Sequence, residues 1–307
     1  MARSLPLFGA ALLLVFGAAP ETALAEGRST LGTTRVFTND TIADRQDRWR
    51  SGAYSVSLFR GQSWSGALPD QFGAIMEYRF RGEVIAPDNL ANPAAGDRLY
   101  AGTWWLGAHS HLNMGGLDVT VGADLAITGE QTGIRNMQSG IHDALSMPRM
   151  DVEDFQVENG VYLHGTLEVA RSMRFASGEI RPFVELQAGV ETMARAGFDL
   201  TLGDLGNGGL RTRDPITGQR LAAIDGEFSD GGWSFLLGAD TAYVASSIFL
   251  PEDRGYEVED ARHRVRAGVN YGFGGNNVFY GITYMSEEFV GQAEGQLVGS
   301  LSVDIRF

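Results

Sequence analysis

Asn39-Asp40, Ser51 and the pair Gln138 and His142 are the residues of this chain whose types could carry out a hydrolysis together. A histidine near its ordinary pKa of ~6.5 takes a proton from water at neutral pH. A carboxylate such as Asp40 can hold a hard cation, which polarises a carbonyl and steadies an oxyanion. The amides of Asn39 and Gln138 and the hydroxyl of Ser51 can orient a water or a substrate. A Ser51 nucleophile is chemically open too, although no base with its own orienting partner is legible beside it. Gln138 and His142 are four residues apart, so on a helix they share one face. Taken singly, each has a plainer reading: a loop histidine is usually just surface, and TNDTIADRQDRWRSG (38–52) could be a solvated charged loop.

What could bring such distant segments together is the dominant pattern of the chain, which has a period of two. In Leu117–Ile127, Leu117, Val119, Val121, Ala123, Leu125 and Ile127 share one face, with Asp118, Thr120 and Asp124 on the other. Ile75–Ile85 sets Met76, Tyr78, Phe80 and Val84 against Glu77, Arg79, Arg81 and Glu83. The segments 261–273 and 297–307 alternate in the same way. Most of these runs last ten residues or more, longer than the ~5–6 usual in globular sheets. A tilted strand crossing a bilayer needs ~9–11 residues, with lipid on one side and a polar interior on the other. Only closure leaves no unpaired backbone edge in hydrocarbon. The alternative is a soluble sandwich, in which the charged face would meet water.

Twelve strands are expected, near 33–39, 51–60, 72–85, 98–112, 116–127, 159–174, 179–191, 195–203, 231–247, 260–274, 277–289 and 295–307. The fold class is therefore all-β: a 12-stranded antiparallel transmembrane β-barrel with a short helix in an extracellular loop. With both termini in the periplasm, the connections 40–50, 86–97 and 128–158 face outward. Asn39, Asp40 and Ser51 then share the outer rim with a helix over Arg135–Leu145, bounded by Gly133 and Pro148. His109, His111 and His164 fall on inward faces, and His263 near an outer strand end has no role. One connection is awkward: 204–230 is long for a periplasmic turn, so either that loop is unusual or the count is off by one strand there. Within it, DPITGQR (214–220) reads as turn chemistry.

Composition agrees with this class. Leu7–Ala19 is an apolar run of signal-peptide length, and Ala23-Leu24-Ala25 is a cleavage site, so residues 1–25 form a leader and 26–307 the barrel. The chain has no cysteine, which excludes disulfides and thiolate metal sites, and its net charge of −14 argues against nucleic acid. The 41 glycines are scattered, as suits curved sheets. The inward Arg79, Arg81, Arg262, Arg264 and Arg266 oppose Glu77, Glu83, Asp118, Asp124, Glu168, Glu185 and Asp240. That predicts a lumen packed with paired charge, unlike a porin. GEQTG lacks the βαβ setting of a phosphate loop.

The set TND…DRWRSG (38–52), EVIAPDNL…GDRLYAG (83–102), GEQTGIRNMQSGIH (129–142), RPFVELQAGVE (181–191) and EGQLVGSLSVDIRF (294–307) resembles the lipid A 3′-O-deacylase family of Gram-negative outer membranes. The resemblance covers the mature chain in order. It implies a calcium-dependent esterase that removes the 3′-linked acyl or acyloxyacyl chain from the lipid A of lipopolysaccharide. His142 matches the family's catalytic histidine and Gln138 its glutamine. Asn39 and Asp40 match its Asn-Asp pair, with Asp40 as a metal ligand, and Ser51 falls where the family has threonine. It implies attack by water. Its partners would be lipid A and the surrounding outer-membrane lipids, with the protein a monomer. Two departures concern the substrate. The second outer loop offers only Arg98 where basic residues would meet a lipid A phosphate, and Met147-Pro148 stands where the family has an acidic residue. A phospholipase-type acyl hydrolase and a non-catalytic structural or channel barrel are the other readings.

Overall fold

The structure is a computed structural model that describes residues 27–144, 146, 148–203, 208–226 and 231–304. The leader expected over 1–25 lies outside the described residues. Fifteen strands occur among them: Ser29–Asn39 (β1), Trp49–Gly61 (β2), Ile75–Ala86 (β3), Ala101–Met114 (β4), Leu117–Thr128 (β5), Gly160–Ala170 (β6), Met173–Phe175 (β7), Gly178–Ala188 (β8), Glu191–Leu202 (β9), Leu210–Arg213 (β10), Arg220–Ile224 (β11), Gly232–Ser247 (β12), Ala261–Phe273 (β13), Asn276–Met285 (β14) and Gln296–Asp304 (β15). One α-helix is present among these residues, Ile134–Ala144 (α1).

All strands but β10 and β11 form one antiparallel sheet. It closes because β1 pairs with both β2 and β15, and β6 with both β5 and β8. β7 continues β6 along the same partner, so the two make one interrupted stave and the barrel has twelve. The alternation that predicted the strands separates the two faces. Phe37, Tyr54, Phe80, Leu106, Leu163, Phe235, Leu237 and Ile282 are exposed on the outside. No helix of the described residues is long and apolar enough to cross a membrane. Predicted boundaries differ by a few residues where glycines turn the chain. Gly189, at φ +126, reverses it so tightly that β9 starts at Glu191 rather than 195. At one end, β4–β5 and β13–β14 are joined by Gly115-Gly116 and Gly274-Gly275, all with positive φ, the geometry of two-residue hairpins. The long connections lie at the opposite, outer end.

The awkward segment is a loop, and the strand count stands. Its described part, 208–226, folds back into the barrel as the hairpin β10–β11. Leu221 packs with Val36, Leu236 and Phe279 on the inner wall. Thr34 Oγ1 donates to the Ala222 carbonyl at 2.8 Å. The DPITG turn forms the tip, where Asp214 caps Thr217 N–H at 2.8 Å and Gly218 has φ +73. The Ile216 carbonyl accepts Arg264 Nη1–H at 2.8 Å, and the Gln219 amide donates to the Ala267 carbonyl at 3.1 Å.

Paired charge fills what the hairpin leaves. Arg50 meets Glu83 at 2.7 Å, Arg181 meets Glu168 at 2.8 Å, Arg213 meets Asp199 at 2.8 Å and Arg264 meets Asp240 at 3.0 Å. His111 meets Glu77 at 2.9 Å and His109 meets Asp124 at 3.0 Å, so these histidines belong to the lumen network. All 24 basic residues of the chain are arginine. Its planar fork suits such crowded carboxylate pairing better than a lysine ammonium. A polar cavity of about 100 Å³ remains, lined in part by Arg79, Arg81, Trp105 and His164.

Candidate functional site

The outer end of β2 explains how a rim site is assembled. The β2–β3 register shifts between Trp49 and Gly52, and Trp49 has φ +53. Such a bulge adds a residue and re-aims its neighbours. Arg50 reaches inward to Glu83, Glu191 and Glu288, whereas the next residue, Ser51, donates its hydroxyl to Asp47 Oδ1. Gly52 pairs with Asn39, and a Cβ built at Gly52 would lie 2.8 Å from Asn39 Nδ2. Residues opposite each other on a ladder share a face. Asn39 is two residues beyond the exposed Phe37, so this pair sits on the outer wall at the rim.

The loop after β1 wraps around Asp40. Its backbone N–H donates to the Ser51 carbonyl at 3.2 Å, and its own carbonyl accepts from Ala43 and Asp44 at 2.8 and 2.9 Å. Asn39 Oδ1 accepts Thr41 N–H at 2.8 Å, which fixes the turn. The Asp40 side chain is fully buried; Oδ2 accepts Arg48 N–H at 2.8 Å, and Oδ1 has no hydrogen-bond partner. Burial pushes its pKa up to about 8, against the Arg48 N–H and with the help of the Asp47 and Asp44 charges.

That unsatisfied oxygen is a test of whether a cation fits. Among the described residues, no three His, Asp or Glu side chains converge in a metal-ligand group. The donor set therefore does not suit zinc, which takes three or four protein ligands of that kind. Calcium accepts a single carboxylate completed by peptide carbonyls, amides and water. One buried carboxylate with an open oxygen, in a loop carrying two more acids, fits such a cation.

The helix brings the other half of the site. α1 covers the expected helix from Arg135 to Ala144 and begins one residue earlier, at Ile134, which anchors it to the outer wall, 2.7 Å from where a Cβ on Gly102 would lie; Leu145 lies outside the described residues. Trp104 Nε1–H donates to the Thr132 carbonyl at 3.0 Å, tying the preceding turn to the same wall. Gln138 and His142 share the face that Ile134 begins. Gln138 Oε1 accepts the Tyr100 hydroxyl at 2.9 Å, so the amide is held with its oxygen towards β4. His142 is buried, with Nδ1 3.1 Å from the Pro148 carbonyl. A carbonyl only accepts, so Nδ1 carries the proton and Nε2 is the nitrogen able to take one. Nε2 lies 3.5 Å from Asp47 Oδ2.

Asp40, Ser51 and His142 are therefore gathered at one rim, with Asn39 adjoining and Gln138 one helical turn away. Asp47 is the residue that sequence reasoning missed: it links Ser51 to His142. In an extended strand, positions 47 and 51 would not meet; only the bulge at Trp49 joins them, and it leaves no signal in residue type. Arg98 corrects an expectation. It is fully buried and its guanidinium is paired with Glu288, in a cluster with Arg50 and Arg262 inside the wall. It is not available to a substrate phosphate. Arg48 is the basic group beside Asp40, itself paired with Asp88 at 3.2 Å and Glu294 at 2.8 Å.

Comparison with known proteins bears on the fold and the family. No curated protein matches the chain. Among solved structures, LpxR from Salmonella typhimurium is similar at 13% identity and a TM-score of 0.72, covering 90% of this chain and 100% of that one. The β domain of the Bordetella autotransporter BrkA shares 13% identity at a TM-score of 0.41, over 91% and 100% of the two chains. The first likeness shows the fold; the second is too distant to bear on the site. The family model described as outer membrane protein LpxR matches residues 7–307. The chain belongs to that family of outer-membrane lipid A deacylases.

Proposed function

We propose that this protein is a calcium-dependent esterase that removes the 3′-linked acyl or acyloxyacyl chain of lipid A by direct attack of water. The observation that carries the reading is the position of His142 Nε2, deprotonated by the logic of its Pro148 contact and 3.5 Å from the Asp47 carboxylate. In the reaction, the water oxygen bonds to the ester carbonyl carbon as Nε2 takes the water proton. Asp47 stabilises the imidazolium so formed. The tetrahedral intermediate then collapses: the bond to the sugar oxygen breaks, and that oxygen takes the proton from Nε2. The products are a free fatty acid and a lipid A with a 3′-hydroxyl.

Asp40, with carbonyls of its loop, would hold calcium, which when bound supplies positive charge opposite the ester carbonyl oxygen. The Gln138 and Asn39 amides orient water and substrate. The Ser51 hydroxyl donates to Asp47 rather than to His142, which favours water over serine as the nucleophile. The interior position of Arg98 leaves recognition of lipid A phosphates to other groups, Arg48 foremost.

The test is the mass of lipid A extracted from outer membranes that contain the protein, with and without calcium. Loss of one acyl or acyloxyacyl unit is expected, abolished by His142→Ala and by Asp40→Ala. Unchanged lipid A beside a correctly inserted barrel would overturn the reading, and deacylated glycerophospholipid would move it to a phospholipase-type hydrolase.

A further inference from the structure

The two ends of the lumen differ. Towards the outside, Trp105 and Phe249 cap the central cavity, packed with Ile85, Leu99, Val157 and Val190. Towards the periplasm, at the end of the Gly115-Gly116 and Gly274-Gly275 turns, a second cavity of about 520 Å³ lies between the wall and the β10–β11 hairpin. Leu68, Asp118, Leu210, Arg211 and Arg220 line both cavities, so the two adjoin. The exposed Gly66, Ala67 and Ser172 stand at the edge of the second one, which gives it contact with solvent.

Charge in this inner cavity is lopsided. Three guanidiniums, from β7, β10 and β11, meet one carboxylate on β8. Glu179 Oε1 accepts from Arg211 Nη2 and, at 3.4 Å, from Arg220 Nη1, while Arg174 Nε stands 3.6 Å from Oε2. The other contact of Arg220, from Nη2 to the Arg211 carbonyl, is also long at 3.3 Å. Neighbouring acids are engaged elsewhere. Glu168 meets Arg181 at 2.8 Å and also Arg213; Asp199 meets Arg213 at 2.8 Å and also Arg266. Asp118 accepts the Ser172 hydroxyl at 2.9 Å, with Arg181 Nε 3.6 Å away. Arg211 and Arg220 are each only 8% exposed. Cations buried that deeply need matching anions, and one carboxylate shared three ways falls short.

We propose that this inner cavity binds a phosphate group, free or on a small soluble carrier, between Arg174, Arg211 and Arg220. Guanidinium forks arriving from three strands suit an anion with several oxygens, which a phosphate offers and a single carboxylate does not. The arginines lie behind the strand wall, out of reach of lipid headgroups, which selects a soluble source. Because Arg211 and Arg220 belong to the lumen hairpin and Arg174 and Glu179 to the wall strands, the bound anion ties one to the other. The cavity lies at the end of the barrel opposite Asp40 and His142 and is independent of their chemistry.

The experiment is a titration of inorganic phosphate into the full barrel, free of calcium, in zwitterionic detergent at an ionic strength fixed with sodium chloride. Phosphorus NMR line width should report saturable binding, and the unfolding temperature should rise with it. Arg220→Met should weaken binding about tenfold, the loss of one charge-assisted contact. The Arg174 side chain is 57% exposed, so its removal spares the packed interior; Arg174→Met should weaken binding about threefold. No saturable binding, or a response that chloride alone reproduces, would overturn the proposal. So would loss of binding in Arg48→Met, which would place the phosphate at the outer rim. In nanodiscs, exchanging phosphatidylcholine for phosphatidylglycerol should leave the affinity unchanged, and competition by that lipid would overturn the soluble source.

Discussion

Asp47 accepts the hydroxyl of Ser51 on one carboxylate oxygen and stands 3.5 Å from His142 Nε2 with the other. One loop side chain thereby couples the bulged end of β2 to the helix that crosses outside it. Asp47→Asn keeps the shape and removes the charge that would stabilise an imidazolium, so kcat should fall about 10- to 100-fold with KM little changed. With His142→Ala in the background, the same substitution should cost almost nothing further. Additive losses would show that Asp47 does not act through His142.

The Ser51 hydroxyl is a positioning group if water attacks. Ser51→Ala should then retain measurable turnover, roughly a tenth of the parent, and Ser51→Thr should restore it. Complete loss in Ser51→Ala, with an acyl-enzyme trapped on the parent by rapid quench, would make Ser51 the nucleophile.

Burial raises the Asp40 carboxyl from 3.8 to about 8, so in the cation-free protein it holds a proton at neutral pH that calcium must displace. Apparent calcium affinity should therefore climb as pH rises towards about 8, by up to tenfold per unit, and then level off. The sign for stability is the opposite: the folded state binds the proton more tightly than the unfolded chain, so cation-free stability declines from about pH 4 to about pH 8. Calcium titrations at pH 6.5 and 8.5 check the first trend, and thermal unfolding in chelator checks the second. Asp40→Asn should flatten both.

Glu288 contacts Arg50, Arg98 and Arg262 inside the wall. Glu288→Ala leaves buried cations short of a partner and should cost about 3–5 kcal/mol, seen as a lowered unfolding temperature of the barrel in detergent. Arg98→Met should cost far less, since Glu288 keeps two arginines. KM for phosphorylated lipid A should not move in Arg98→Met. A large rise would return that residue to the substrate site.

The β10–β11 hairpin occupies the lumen, so the intact barrel should show little conductance in planar bilayers. Replacing residues 208–226 by a short Gly-Ser turn removes Arg213, Gln219 and Leu221 from their wall contacts and should open a measurable conductance. Equal conductance before and after would mean that the remaining charge network seals the barrel by itself.

The sequence alone determined the barrel, because strand alternation is local: each residue's type records whether its own position faces lipid or lumen, and ten or more alternations in a row leave little choice of fold. Parity then put Asn39, Asp40, Ser51 and His142 at one rim, and the four-residue spacing put Gln138 on the His142 face. Only the tertiary structure decided what those residues touch. The inward turn of 208–226 depends on partners spread over β1, β12, β13 and β14, so its residues look like any polar loop. Arg98 is drawn inside by Glu288, almost two hundred positions away in the chain, and Asp47 joins the site through a bulge set by cross-strand register. A residue's preference for water or lipid is written in its own side chain; its partner across a closed sheet is set by where distant chain happens to arrive.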